Sequence, residues 1–234
     1  MKAYAIVLEN NNVSKGGFDI LKHSSYSVGN EFEINKFPAC TPEKAFTALT
    51  ENVVKWTWPW ADVEIDIKLG LKKTPYPTMH RFARVACFFS HYALWKVAVQ
   101  GDTPVMILEH DAKFIKKFDP KFLDSIQGDY ALGINSPLGA TRRDTTFNKI
   151  VHENPTEIME TPWIDNDLTV PQGLAGNSAY IITPGLARQA IQFVEDNGAW
   201  PNDAILCKQA FPGRILVTKT HYTKVQGLPS TTTK

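Results

Sequence analysis

Between Met79 and Gln100 the apolar residues Phe82, Val85, Phe89, Ala93 and Val97 recur at three- and four-residue spacing, and Gly101 stands where a helix ends. A tight Gly101-Asp102 turn then leads into the apolar run Val105 to Leu108, which reads as a buried strand. A long amphipathic helix delivered directly into a buried strand is the repeating step of an α/β domain, and the rest of the chain follows the same alternation. Ala3 to Leu8 is a first strand closed by the polar loop Glu9 to Asn12, and Phe32, Ile34 and Phe37 alternate as a second. Thr41-Pro42-Glu43 starts a helix that runs to about Leu49. Asp119-Pro120 restarts a helix toward Ile126, and Tyr130 to Ile134 and Ala179 to Ile182 are strands. Thr183-Pro184 opens a helix ending at Asn197-Gly198, Pro201 to Phe211 is another, and Arg214 to Lys219 is a closing strand. The expected architecture is a three-layer α/β domain with a mostly parallel central sheet.

With 234 residues, 43% of them hydrophobic, the chain can bury one full core, so residues 1–234 are expected to form a single domain. Two stretches lack a period: 55–78, with Trp56, Trp58 and Trp60 among prolines and lysines, and 136–175, which is polar and bears Gly and Pro. Both are expected to be long loops, the second a lid or acceptor loop, and the tail from Gly227 to Lys234 is expected to fray. Twenty-five basic and 24 acidic side chains leave no strong field, which argues against general adhesion to nucleic acid or an anionic membrane. Cys40, Cys87 and Cys207 are odd in number and lie far apart, so neither a disulfide framework nor a cysteine metal motif is expected. No apolar run is long enough to span a membrane, and a reducing cytoplasm is the expected setting.

The chemistry concentrates in "ILEHDAKF", Ile107 to Phe114, at the end of the central strand. In extended backbone Glu109 and Asp111 point to one side and His110 to the other. Open α/β sheets bind ligands at the carboxyl ends of their strands, and hard cations such as Mn²⁺ or Mg²⁺ are commonly held there by carboxylates and phosphate oxygens. The same pair could equally cap the strand and its following turn.

The longer segment "ACFFSHYALWKVAVQGDTPVMILEHDAKF", Ala86 to Phe114, resembles the core of glycosyltransferase family 25, the lipooligosaccharide- and collagen-type galactosyltransferase group. The family pattern is Gly-Cys-x-x-Ser-His-x-x-x-Trp, an apolar strand, then Leu-Glu-Asp-Asp-Ala/Val. Cys87, Ser90, His91, Trp95, Leu108, Glu109, Asp111 and Ala112 match it. "YAIVLEN" is similar to the family's opening strand, Gly176, Tyr180 and Gly185 to its Gly-x-x-x-Tyr-x-hydroxy-x-x-Gly segment, Pro201 and Asp203 to its Pro-x-Asp step, and "VQGLPST" more faintly to its C-terminal end. The chain departs from the pattern at His110, where the family has Asp, and in "ENNNVSKGG", where no Arg or Lys pattern follows the first strand.

The resemblance implies a GT-A type nucleotide-diphospho-sugar fold, a divalent Mn²⁺ or Mg²⁺, and transfer of a sugar from a nucleotide-diphosphate donor to a hydroxyl. It points to Glu109 and Asp111 as metal ligands with His221 as a returning third, and to Leu8, Glu9, Ser90, His91, Glu109 and His110 around the donor. Asp203, in the first turn of a helix, is the candidate base, against the plainer role of a helix N-terminal acid. Gly176 and Asn177 are candidates for the acceptor or sugar side, and so is Trp58, whose ring could stack on a sugar or anchor its loop. The acceptor is expected to be a glycan or, as in sugar-decorating enzymes of phages, a hydroxymethylated pyrimidine in DNA, which would place the protein in the host cytoplasm. Lys68, Lys72, Lys73, Lys113, Lys116, Lys117, Arg142 and Arg143 are the residues available for phosphate contacts, or are ordinary surface charges. Two competing readings are a binding module impaired by His110 and a metal-dependent phosphohydrolase.

Overall fold

The computed structural model of the chain describes every residue except Asn52, Met79 and 230–234. In chain order the elements are β1 (Lys2–Val7), α1 (Asn12–Ser27), β2 (Ile34–Pro38), α2 (Pro42–Thr50), β3 (Glu64–Asp66), β4 (Leu71–Lys73), α3 (Arg81–Val99), β5 (Val105–Glu109) and β6 (Ala112–Phe114). After a 3₁₀ turn at Pro120–Ser125 come β7 (Ala131–Gly133), α4 (Asp144–Glu153), β8 (Ile158–Glu160), β9 (Ala179–Ile182), α5 (Pro184–Asn197), α6 (Asn202–Ile205), β10 (Ile215–Thr218) and β11 (Thr223–Val225).

Seven strands form the central sheet in the order β2-β1-β5-β9-β7-β10-β8. β1, β2 and β5 are mutually parallel, β9 runs against both β5 and β7, and β10 is parallel to β7 with β8 reversed at the edge. The sheet is thus mainly parallel, and the ends of β1, β2 and β5 share one rim with the start of β9, where Leu108 pairs with Ala179.

The pleat divides the core in two. Val105 and Ile107 of β5, with Tyr180 and Ile182 of β9, pack under α3 and α5 among Phe88, Leu94, Trp95 and Trp200. Met106 and Leu108, with Ala179 and Ile181, face the opposite layer of α1 and the β6–β11 ladder, around Leu21, Phe114 and Phe118. This alternation gives both faces of β5 a buried partner and fixes its register. It also fixes the next step: Glu109 continues the odd-numbered series and therefore faces α3.

Several expectations need correction. The polar loop expected at Glu9 to Asn12 is there, ending one residue early, but a four-turn helix that was not expected, α1, follows it at once, capped by the Asn11 carboxamide on the Ser14 amide. Its buried face is Ser14, Gly17, Leu21, Ser24 and Ser25, so it carries almost no hydrophobic period. Small residues are required there because a Cβ on Gly17 would lie 2.7 Å from the His110 carbonyl oxygen, and the Ser14 and Ser24 hydroxyls accept from the Leu8 and Phe114 amides. The 55–78 excursion contains the β3–β4 hairpin, and 136–175 contains α4 and β8, so neither is a structureless loop. The expected helix from Pro201 to Phe211 is the single turn α6. α3 is as expected, but Met79, its expected start, and most of the expected frayed tail lie outside the described residues.

Candidate active site

At the shared rim a half-open cleft lies between Ile6 and Leu8 of β1, Ala39, Cys40 and Pro42 after β2, the α3 face Ala83, Ala86, Cys87, Ser90 and His91, and Glu109 and His110. The Ser90 hydroxyl accepts from the Cys40 amide at 2.9 Å and donates to the Ala86 carbonyl at 2.8 Å, so it sets the spacing between the β2–α2 connection and α3.

Below the cleft lies a closed polar chain. His91 is fully buried; its Nδ1 is 2.9 Å from the Tyr180 hydroxyl and its Nε2 is 3.1 Å from Glu109 Oε1. Trp95 Nε1, which can only donate, bonds the same Tyr180 oxygen at 2.9 Å. The direction that satisfies every group runs from the indole N–H to the Tyr180 oxygen, from the Tyr180 O–H to His91 Nδ1, and from His91 Nε2–H to the carboxylate. Burial works to raise the Glu109 carboxyl, but the hydrogen bond from His91, with His110 and Arg84 nearby, outweighs it and holds the group below the usual carboxylate range.

Beyond Glu109 the strand geometry ends. His110 and Asp111 form a turn, and β6 then pairs with β11. The extended backbone that would aim His110 away from Glu109 and Asp111 does not persist: Glu109 and His110 both line the cleft while Asp111 does not, and the His110 ring lies beside Gly17 of α1. Gln226 holds this turn, its Nε2 donating to the carbonyls of Gly17, His110 and Ala112. Asp111 Oδ1 is buried with no hydrogen-bond partner among the described residues. Burial, then the neighbouring Glu109 charge, pushes the Asp111 carboxyl up to about 7, with the Ser178 hydroxyl beside it opposing.

A further group faces Cys87 from the other side. The Cys87 thiol lies 3.7 Å from Asn202 Oδ1, and burial together with Glu109, Asp203 and Asp111 raises it well above its ordinary value despite Arg84. Asp203 in α6 has a buried Oδ1 without partner, and its carboxyl is raised by burial, against the Arg84 charge and the adjoining Tyr76 hydroxyl. Asn177, ahead of β9, is 6% exposed with both amide atoms unpartnered, and Gly176 before it adopts φ +76°, a left-handed conformation suited to glycine. A buried polar atom without a partner calls for an explanation, of which a bound ion or ligand is one; Trp56, Asn197, His221 and Gln226 hold such atoms too.

The structure does not bring every expected residue here. Val225 pairs with Ala112 and Thr223 with Phe114, which carries His221 roughly 15 Å along the ladder from Asp111. His221 instead meets Asn148 at 3.0 Å and stacks near His152. Trp58 is core: its ring packs on Tyr76 and Trp200 and its Nε1 donates to the Thr74 carbonyl. Glu9 is an exposed partner of Lys36 and is not among the residues lining the cleft. Arg84, Tyr76 and Gln226 were not expected; the first two could have been suspected only because Arg84 shares an α3 face with Cys87 and His91 at helical spacing.

Cys87, His91 and Glu109 offer ligand atoms within 4.8 Å of one another. This thiol and imidazole set does not suit Mn²⁺ or Mg²⁺, and both His91 nitrogens are already engaged. The fit to a hard cation lies one step on, in the unpartnered Asp111 oxygen beside Glu109.

The family model for glycosyltransferase family 25 (LPS biosynthesis protein) matches residues 46–206. The chain belongs to this family. No curated protein matches it in sequence. Among solved structures it is similar to the galactosyltransferase LgtC in complex with donor and acceptor sugar analogues, with 12% identity, a TM-score of 0.44 and coverage of 93% of this chain and 72% of that one. It is similar also to apo mouse xyloside xylosyltransferase 1, with 11% identity, a TM-score of 0.44 and coverage of 91% and 83%. The family 25 chain has an α/β architecture with a mainly parallel central sheet, and its cleft lies at the strand ends. None of the described helices is long and apolar enough to cross a membrane.

Proposed function

We propose that this family 25 enzyme moves a sugar from a nucleotide-diphosphate donor to a hydroxyl of a glycan, with Mn²⁺ or Mg²⁺ at Glu109 and Asp111. The observation that carries the reading is the buried Asp111 oxygen, without a partner among the described residues, next in the chain but one to Glu109, which lines the cleft at the strand ends. A divalent cation there would act as a Lewis acid on the charge of the departing diphosphate. Leu8, Ser90 and His110 border the nucleotide, His91 holds Glu109 in position, and Asn177 offers an amide donor and acceptor to the sugar.

Asp203 takes the acceptor proton. The acceptor oxygen forms the new bond to the anomeric carbon, the bond to the diphosphate oxygen breaks with its electron pair on the diphosphate, and the acceptor proton passes to the Asp203 carboxylate. Its raised affinity for protons, caused first by burial, moves it toward the range a general base needs near neutral pH.

A glycan acceptor is favoured over hydroxymethylated DNA because four of the eight residues in the expected cation cluster are already paired with carboxylates. Lys73 is buried on Asp66, and Lys72, Lys117 and Arg143 pair with Asp167, Glu31 and Asp165. Three free cysteines fit a reducing cytoplasm, where we place the enzyme. The test incubates the protein with a panel of nucleotide sugars and Mn²⁺. Donor hydrolysis abolished by chelator and by Asp111→Ala is the expected result; nucleotide binding without any turnover would instead identify a binding module. Mass spectrometry of a lipopolysaccharide core and of hydroxymethylated DNA after reaction then decides the acceptor.

A further inference from the structure

Three carboxylates, Glu109, Asp111 and Asp203, meet around Cys87, and a nucleotide diphosphate brought among them must overcome their repulsion. One cation answers at most two charges, and no Arg or Lys motif follows β1 to help. The remaining positive group is Arg84. It sits one helical turn before Cys87 and two before His91 on the same face of α3, so its side chain reaches the line between the cleft and α6.

Two features show that this guanidinium is not already spent. Its carbon lies 5.0 Å from the centroid of the Tyr76 ring, which fixes the plane of the fork without using its N–H groups. Its Nε is buried with no acceptor, and no carboxylate among the described residues pairs with it. Its charge favours the ionised forms of Glu109, Asp203, Cys87 and Tyr76, the groups around the proposed cation ligand and base. Structural arginines in mixed-charge clusters close onto a carboxylate; this one is stacked, oriented and left open.

We propose that Arg84 is a catalytic residue that binds the donor diphosphate with its free guanidinium N–H groups and stabilises the charge that collects there as the sugar departs. This rests on the sugar-transfer reading above. A planar fork suits two phosphate oxygens at once, which an ammonium cannot match. Arg84 does not itself line the cleft as Ala83, Ala86 and Cys87 do; it stands behind Cys87, over the Tyr76 ring, so a diphosphate must reach past Cys87 to meet it.

The test measures binding of UDP, CDP, GDP and ADP, with the corresponding monophosphates and nucleosides, to the wild-type chain and to Arg84→Gln and Arg84→Lys, in the presence of Mn²⁺. For the nucleotide that binds, Arg84→Gln is expected to lose about 10- to 100-fold in diphosphate affinity, while nucleoside affinity is unchanged. Arg84→Lys should recover only part of the loss. Acceptor-free donor hydrolysis should fall with it, and millimolar guanidinium should restore hydrolysis to Arg84→Ala, which a purely structural role would not allow. Unchanged diphosphate affinity in a folded Arg84→Gln overturns the proposal and leaves sugar transfer standing. Intact hydrolysis with a raised KM for acceptor overturns it in favour of an anionic acceptor. No binding of any nucleotide by the wild-type chain overturns the sugar-transfer reading and Arg84 with it. If Arg84→Gln does not fold, the lysine variant and guanidinium rescue carry the decision alone.

Discussion

The α3 side and the α6 side of the strand end differ in how their polar atoms are used. Under the cleft floor, Trp95, Tyr180, His91 and Glu109 form one directed chain of hydrogen bonds. Around them Asp111, Asn177, Asp203 of α6 and Arg84, at the α3 end nearest α6, each hold at least one buried polar atom with no partner among the described residues. A satisfied network in a low-dielectric interior rigidifies, whereas unsatisfied groups cost stability unless something else completes them. The first region is therefore built to position Glu109, and the second to meet a substrate. Substitutions should divide accordingly, into those that cost stability and those that cost activity.

The largest effect is expected at Asp203. Asp203→Asn removes the proton acceptor and should lower the rate of transfer by about 10²- to 10⁴-fold with little change in Tm. The wild-type rate should also fall with acidity at a pH above the ordinary carboxylate range, because the base works deprotonated and its carboxyl is raised. A profile that stays flat down to the range of exposed carboxylates removes Asp203 from the role.

Asp111→Asn comes next, with a loss of about 10²- to 10³-fold in Mn²⁺-dependent hydrolysis. Stability should move the other way. A carboxyl raised in the fold contributes stability below its unfolded value and loses it as pH rises through about 7, so wild-type Asp111 penalises the cation-free protein at pH 8. The asparagine keeps the neutral form at all pH, and cation-free Asp111→Asn should melt above wild type at pH 8, with the gap narrowing as pH falls toward the ordinary carboxylate value of 3.8. Glu109 has the opposite sign: held below its usual value, it stabilises at neutral pH, and that contribution is lost as the solution is acidified through its folded value. A lower Tm for Asp111→Asn at pH 8 would falsify the division between the two sides.

How far the sequence revealed these two regions follows from what each depends on. α3, β5 and the strands on either side were legible because apolar periodicity is local and these elements bury apolar faces. α1 was not, because its buried face is serine and glycine selected by close approach to the His110 turn, a contact 93 residues away in the chain that no window contains. α4 and β8 were hidden because their few buried residues, such as Phe147 and Val151, are too sparse for a clear period. In the site, Glu109, Asp111, His91 and Asp203 could be read from the motif resemblance. The turn at His110-Asp111, and with it the side on which His110 falls, depends on Gln226 and β11 far downstream. Arg84 and Tyr76 escaped notice because each is ordinary in its own segment and acquires meaning only where they meet Asp203.

On the satisfied side the effects are on stability. His91→Ala leaves Glu109 and the Tyr180 hydroxyl without partners and a cavity beneath the cleft, and should cost about 3 to 5 kcal/mol. Chemical denaturation with unchanged m-value measures it. The expected activity loss at a temperature where the variant is folded is smaller than that of Asp203→Asn. The reverse ordering would make His91 part of the chemistry and not of its support.

The mildest test is Tyr180→Phe. It removes one hydroxyl from the middle of the chain and keeps the ring that lies stacked beside His91, centroids 5.7 Å apart, so no cavity forms. The Trp95 indole N–H loses its acceptor, and His91 Nδ1 loses the donor that sets its tautomer. The cost should be about 1 to 3 kcal/mol, because buried groups are left unsatisfied while packing is retained. Glu109 keeps its bond only if the proton stays on His91 Nε2, so the diagnostic is subtler than Tm. Proton NMR of the His91 ring should show Nε2–H dominant in the wild-type protein and a mixture of tautomers in Tyr180→Phe, with KM for the donor raised and kcat little changed. If the variant loses kcat and keeps both Tm and tautomer, the chain from Trp95 to Glu109 acts on the reaction directly, and the boundary between support and chemistry must be redrawn to include it.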